Sequence, residues 1–581
     1  MRVIPFAVVL VSLVLFGCSG GSKSDPFVRG AVTLTATVRY EAFVPMAVGG
    51  LDFDNPVMRP VPGAVLEVWT NRLRPELVAT GNLNGAGVAN LRVPAHTSLK
   101  LIVRAALGDR VAPNTTINQA QPGMGIGDVY EYETEFTTTD AAQGLDWDFD
   151  SGFVGDPVGF DDTAREAGPF AVLDGMYRAQ QLVLTAAPSF QFTPSVAVRW
   201  GPDANEGSFY SPNAGFININ GDQMADNDEY DTAIIIHEWA HYFEDNHGRS
   251  DSLGGAHAVF NNQADHLDDT VAFGEGWATA FAGMVLNHWT GDAAPFYRDT
   301  AVFSDANGTE AFGFRPVTYL DIGIEDNALA NAGYWSEVSV LLLIYDLYDT
   351  ANEGANDTLS LGFKPLFDIF VGPQRNTPAF TSVYSYLDAL KNAQGNPNDA
   401  AIDAMALTEN ILAADNPFGP TAADTPPALY QHYIPFPLDE TLVNRDPDNN
   451  VLATSERYYR GGNYWPGNKL FQRWMFQAEA GAGEGGLYTV LITPKGEVND
   501  GALGRLVLFY PNGTPVYDPD PGDEYTGGGV APWSEFSNAD GEGIQFETTL
   551  RPGDNLVFAV GSKDDEVEFE LSVTDFKAVT N

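Results

Sequence analysis

His237-Glu238-Trp239-Ala240-His241 constrains this chain more than any other stretch. Histidines four apart stand one turn apart on a single face of a helix, so both imidazoles can reach one metal ion if this stretch is helical. The glutamate after the first histidine then lies beside water held by that ion. Two nitrogen ligands and a carboxylate base are the minimal equipment of a zinc hydrolase. Zinc at such a site wants a third protein ligand and one position left open.

Two residues compete for third place. Glu275 lies in Phe273-Gly274-Glu275-Gly276-Trp277, which opens a second helical stretch. His247 stands ten residues after His237, the spacing of the extended all-histidine motif. That motif needs a glycine where this chain has Glu244, because the helix must break there to swing the third histidine toward the metal. Gly248 follows the histidine, so the helix is expected to continue past 244 and Glu275 is the favoured ligand.

His237-Glu238-x-x-His241 followed by Gly274-Glu275-Gly276-Trp277 resembles the gluzincin peptidases, particularly the fungalysin and thermolysin group, over about 100–130 residues. The resemblance implies a mixed sheet with the active-site helix between a β-rich and a helical lobe. It implies Zn2+ on His237, His241 and Glu275, and Glu238 as general base. In that group an Asp four residues after the third ligand bonds a zinc histidine; here that position is Thr279. The group's downstream catalytic histidine has no clear counterpart, since Gly333 stands in its place. Tyr334, His257 and His266 are the candidate donors to a negative oxygen formed during peptide hydrolysis. Asp251, in the insert between the two ligand stretches, is a candidate partner for a zinc histidine. The strand Phe216–Asn220 is a candidate edge on which an extended peptide could pair.

Composition narrows the partners. The 78 acidic residues against 30 basic ones give a formal net charge of -48, which argues against nucleic acid or an anionic membrane surface. Solubility in a salty environment is the main reading of that charge, and calcium held by Asp-rich loops is the second. Asp222, Asp226, Asn227, Asp228, Glu229 and Asp231 cluster before the active-site helix without the EF-hand spacing. A solvated acidic loop near a helix N-terminus is the expectation there.

Cys18 is the single cysteine, so no intrachain disulfide can form. It follows a basic start and an apolar run too short for a membrane span, and Leu15-Phe16-Gly17-Cys18 resembles the bacterial lipobox. The resemblance implies cleavage before Cys18, a lipid anchor on it, and a place in the bacterial cell envelope, with Ser19 pointing to outer-membrane sorting.

The expected organisation is multidomain: an α+β zincin-like catalytic domain, with a mixed sheet plus helices, flanked by all-β sandwich domains. A lipoprotein signal peptide at 1–17 and a linker at 18–29 precede a β-sandwich at 30–108, whose period-two strands resemble the transthyretin-like regulatory domain of carboxypeptidases. Residues 109–160 read as a linker or β insertion, 161–420 as the zinc domain and 421–455 as a Pro/Asp-rich linker. Residues 456–581 resemble the pre-peptidase C-terminal sandwich found after secreted bacterial peptidases. Together these readings point to a surface-anchored zinc metallopeptidase acting on peptide or protein. The rivals are a zinc hydrolase of a non-peptide substrate and a non-catalytic adhesion or binding protein that keeps the helix pair.

Overall fold

The computed structural model describes residues 30–46, 51–155, 158–223, 227–252, 267, 269–303, 315–325, 332–350, 357–377, 379–394 and 396–420, together with strands between 433 and 576. Residues 1–17, expected as a signal peptide, and Cys18 lie outside these residues, as do His257 and His266. The architecture is mixed α/β, with several sheets and, among the described residues, seven α-helices.

Ala31–Ala42 alternates half-buried and buried residues, so Val32, Leu34, Ala36, Val38 and Tyr40 share one inward face. It pairs antiparallel with Val57–Pro60 and Val88–Pro94, and parallel with Gln143–Phe149. A second sheet runs Glu131–Thr137, Ser98–Arg104, Val65–Thr70, Leu77–Asn82. The span 109–160, expected as a linker or β insertion, therefore supplies strands to both N-terminal sheets. It also supplies Pro113–Gln121 to a third sheet, in the order Phe209–Ser211, Phe216–Asn218, Val196–Trp200, Pro113–Gln121, Ala106–Gly108, with Gly125–Val129 also on Pro113–Gln121.

Pro113–Gln121 and Val196–Trp200 are parallel neighbours, which requires a crossover, and α1 (Gly168–Ala186) lies between them in sequence. The strand expected at Phe216–Asn220 is one arm of a hairpin: Gly215, at φ 68°, turns Phe209–Ser211 back onto Phe216–Asn218. Phe216–Asn218 is thus flanked on both sides and is not the open edge expected for a peptide; that edge is Phe209–Ser211.

One hydrophobic cluster runs from Val32 to Ala414, with no break at 108 or 160. Tyr40 joins the first sheet to α1 by donating to Asp174 Oδ2 at 2.7 Å, and Arg178 grips the same carboxylate with two bonds. The remaining helices are α2 (Thr232–His247), α3 (Asp269–Thr290), α4 (Glu337–Tyr348), α5 (Phe363–Phe370), α6 (Val383–Gln394) and α7 (Asn396–Thr408). Between α3 and α4 lies an antiparallel pair, Phe296–Phe303 and Arg315–Gly323.

Two further sheets lie at the C-terminal end. Tyr433–Pro435 belongs to one, with Gln472–Gln477, Asn555–Ser562, Leu503–Leu506 and Ser534–Ser537. Glu440–Val443 belongs to the other, with Glu568–Phe576, Gly486–Lys495 and Ile544–Leu550. The span 421–455, expected as a linker, thus gives one strand to each. No helix among the described residues is long and apolar enough to cross a membrane.

Candidate metal centre

The helix that carries the motif forms against local preference. Ile234, Ile235 and Ile236 are β-branched in succession, and burial of all three decides the outcome. Trp239 stacks on Phe243 at 5.1 Å and on Phe281 of α3 at 5.6 Å, which sets α2 against α3. A Cβ on Gly276 would lie 2.7 Å from the Glu337 carbonyl oxygen, so glycine is what lets α3 approach α4 so closely. Trp277 then stacks on Phe370 at 3.9 Å. These contacts fix the rotation of α3 and aim Glu275 toward α2.

Three donor atoms converge. His237 Nε2 and His241 Nε2 lie 2.9 Å apart, and Glu275 Oε2 lies 3.2 Å from the first and 3.1 Å from the second. Zinc bonds of about 2.0–2.2 Å at tetrahedral angles place neighbouring ligand atoms roughly 3.3–3.5 Å apart, so the triangle has the size of a zinc site, slightly tightened. Two nitrogens and one carboxylate oxygen also form a donor set that suits zinc. His247 is absent from this group: α2 does continue past Glu244, and the His247 ring is buried against Phe190 and Phe243, each at 4.9 Å.

The backs of the two imidazoles meet different partners. His237 Nδ1 lies 3.0 Å from the Thr279 hydroxyl, which leaves Nε2 on the side of His241 and Glu275. His241 Nδ1 lies 3.9 Å from Glu244 Oε2. Burial alone would lower the His241 pKa, but the carboxylates of Glu275 and Glu244 outweigh it and hold it well above the usual histidine range. Burial pushes the Glu244 carboxyl up to about 7, against the pull of His241. Glu238 is buried on the same helix, and its charge reaches both His241 and Tyr297.

Tyr297 was not anticipated. Its ring lies 5.4 Å from that of His237, and burial, then the charge of Glu238, raises its phenol far above the ordinary range. A clamp explains its position. Thr300 donates its backbone N–H to Asp231 Oδ2 at 2.8 Å, and its hydroxyl meets the same carboxylate. From Asp231 to His237 is about 9 Å along a helix, and from Thr300 to Tyr297 about 10 Å along a strand. Fixing Thr300 on Asp231 therefore brings Tyr297 to His237. A strand lying one helix radius away in space leaves no periodic trace in the sequence, which is why this residue was missed.

The acidic stretch before α2 is not the solvated loop expected. Asn227, Asp228, Glu229 and Asp231 are all buried, because Arg165 pairs with Glu229 and Thr300 serves Asp231. Asp231 does precede α2, but its side chain makes no capping bond there. Asp228, Asp231 and Asp299 each offer an oxygen within 4.8 Å of the others, a second group that could hold a metal ion.

One other expected role is corrected. Asp251 does not pair with His237 or His241: it bonds Arg249 and the Thr381 backbone, at 3.1 Å and 2.8 Å, and anchors the start of the insert to the 377–381 segment. Tyr334 is buried, with its ring 4.9 Å from Trp335 and 5.4 Å from Tyr384. The candidates His257 and His266 lie outside the described residues.

No family model and no curated protein matches the chain. Among solved structures it is similar to the pre-peptidase C-terminal domain of a collagenase from Bacillus anthracis, at 13% identity over 24% of this chain and 94% of that domain, with a TM-score of 0.13. It is also similar to CorA, a surface-associated copper-binding protein of Methylomicrobium album BG8, at 11% identity over 25% of this chain and 98% of that one, with a TM-score of 0.15. A 9R-lipoxygenase from Cyanothece is similar at 12% identity over 30% of this chain and 27% of that one, with a TM-score of 0.13. At such scores these likenesses assign neither fold nor function.

Proposed function

We propose that this protein is a zinc-dependent metallopeptidase of the gluzincin kind. Its zincin-like domain would be held at the bacterial cell envelope by a lipid on Cys18 and flanked by β-sandwich domains. The observation that carries the reading is the convergence of His237 Nε2, His241 Nε2 and Glu275 Oε2, with Glu238 on the same helix as the two histidines. Of the two groups among the described residues that could hold a cation, the nitrogen-bearing one matches zinc by ligand type and the all-oxygen one at Asp228, Asp231 and Asp299 matches calcium.

Bound by His237, His241 and Glu275, zinc supplies an electrophile and brings the pKa of water at the open position to about 7. With zinc bound, Glu238 would be the general base toward the attacking water and, once protonated, the acid toward the leaving amine. The carbonyl oxygen would become negative as the bond forms, and Tyr297, whose ring lies 5.4 Å from that of His237, is the residue we assign as its donor. Thr279 accepts from His237 Nδ1–H and keeps Nε2 free to ligate.

Metal content of the purified full chain tests this reading. Wild type and His247→Ala should each carry one zinc per site, and Glu275→Ala should lose it. A wild-type chain without zinc would remove the basis of the proposal, and loss in His247→Ala alone would move the third ligand to histidine.

A further inference from the structure

We propose that Glu244 is the positioning residue for His241: its carboxylate takes the Nδ1 side of the imidazole and leaves Nε2 to the metal. The inference rests on the metal reading above and adds to it a role for a residue that the motif leaves unassigned.

Glu244 follows His241 by three residues on α2, so the two share a helix face. His241 turns Nε2 toward His237 and Glu275, and turns Nδ1 toward Glu244 Oε2 at 3.9 Å. The carboxylate is 1% exposed, and its Oε1 has no hydrogen-bond partner among the described residues. Burying an ionised carboxylate costs several kcal/mol unless a positive or proton-donating partner offsets it. An imidazole that gives up electron density to a metal is such a partner.

The facing helix is shaped to receive this carboxylate. A Cβ on Gly274 would lie 3.3 Å from Glu244 Oε2 and 3.7 Å from Oε1. Gly274 therefore leaves the slot in α3 that Glu244 fills from α2, and the glycine adjoining the third ligand is explained by a residue on the other helix. The two histidines are thus held by unlike partners. A neutral hydroxyl from α3, Thr279, serves His237, and an anionic carboxylate from α2 serves His241. A carboxylate behind an imidazole raises its basicity, so His241 becomes the stronger nitrogen ligand.

The test compares the full-length wild type with Glu244→Gln, which keeps volume and removes charge. Zinc affinity is read by competition with a chromophoric chelator, and the His241 ring proton by NMR with nitrogen-15-labelled histidine. The expected result is zinc affinity lowered about 10- to 100-fold and a His241 Nδ1–H resonance shifted upfield. Unchanged affinity and resonance, with only a lower melting temperature, would make Glu244 a packing residue and overturn the inference. If Glu244→Gln does not fold, Gly274→Ala serves instead. Its Cβ presses on the carboxylate, so zinc affinity should fall in the same direction; an unchanged affinity there overturns the inference. A wild type that binds no zinc overturns the metal reading and this inference together, whereas equal binding by wild type and variant overturns this inference alone.

Discussion

Thr279 Oγ1 lies 3.0 Å from His237 Nδ1, one helical turn beyond Glu275. The contact ties the third-ligand helix to the first histidine and fixes which nitrogen of that ring is left for a metal. A neutral hydrogen bond of this kind is worth about 1 kcal/mol. Thr279→Val, which keeps the shape, should therefore weaken zinc binding roughly 5- to 10-fold, and Thr279→Ser should restore most of it. Chelator competition on the two variants checks this.

Tyr297 should matter for turnover and not for metal retention. Tyr297→Phe removes the hydroxyl and keeps the ring that packs on His237. Losing one donor to a developing oxyanion costs about 100- to 1,000-fold in kcat. Steady-state kinetics at matched zinc content should show that loss with little change in KM. An unchanged kcat would leave Tyr297 as packing.

His247 should set an acid limb of stability. Burial, with a further push from Arg375, lowers its pKa to about 4, against about 6.5 in the unfolded chain. The unfolded state then binds more protons than the native state between those values, so stability is lost as pH falls from about 6.5 to 4. The shift corresponds to about 3 kcal/mol as an order of magnitude. His247→Phe should flatten this limb in denaturant titrations across that window and leave zinc binding intact.

Arg165 holds the acidic stretch before α2 inside the fold. It pairs with Glu229, donates to the Gly221 carbonyl at 2.6 Å, and lies over the Phe160 and Trp200 rings at 4.8 and 5.5 Å. Arg165→Met strands the buried Glu229 charge and should cost about 3–5 kcal/mol. Adding Glu229→Met should recover much of that loss. Chemical denaturation of the single and double variants measures both.

What could be read from the amino-acid order follows from the range of each force. The His237–His241 spacing and the Gly274-Glu275-Gly276-Trp277 stretch announced the donor triangle because helix periodicity is local. Glu244 correctly foretold that α2 would continue and carry His247 into an aromatic cluster. The burial of Asp228 and Glu229 was illegible, because the cation that offsets it, Arg165, lies 64 residues from Glu229. Tyr297 reaches the site only through the Thr300–Asp231 clamp, 69 residues long in sequence. Gln143–Phe149 was lost inside an apparent linker, because its partner is Ala31–Ala42, more than 100 residues upstream.

Peptide hydrolysis by wild type and Glu238→Gln at equal bound zinc tests the central claim most directly. The account predicts cleavage of a mixed peptide library by wild type. Glu238→Gln should reduce it at least about 100-fold, the lower range for a positioned general base, while keeping the metal. Zinc held by both proteins with no cleavage by either would contradict the claim, and would leave the site as a metal-holding helix pair on a binding protein.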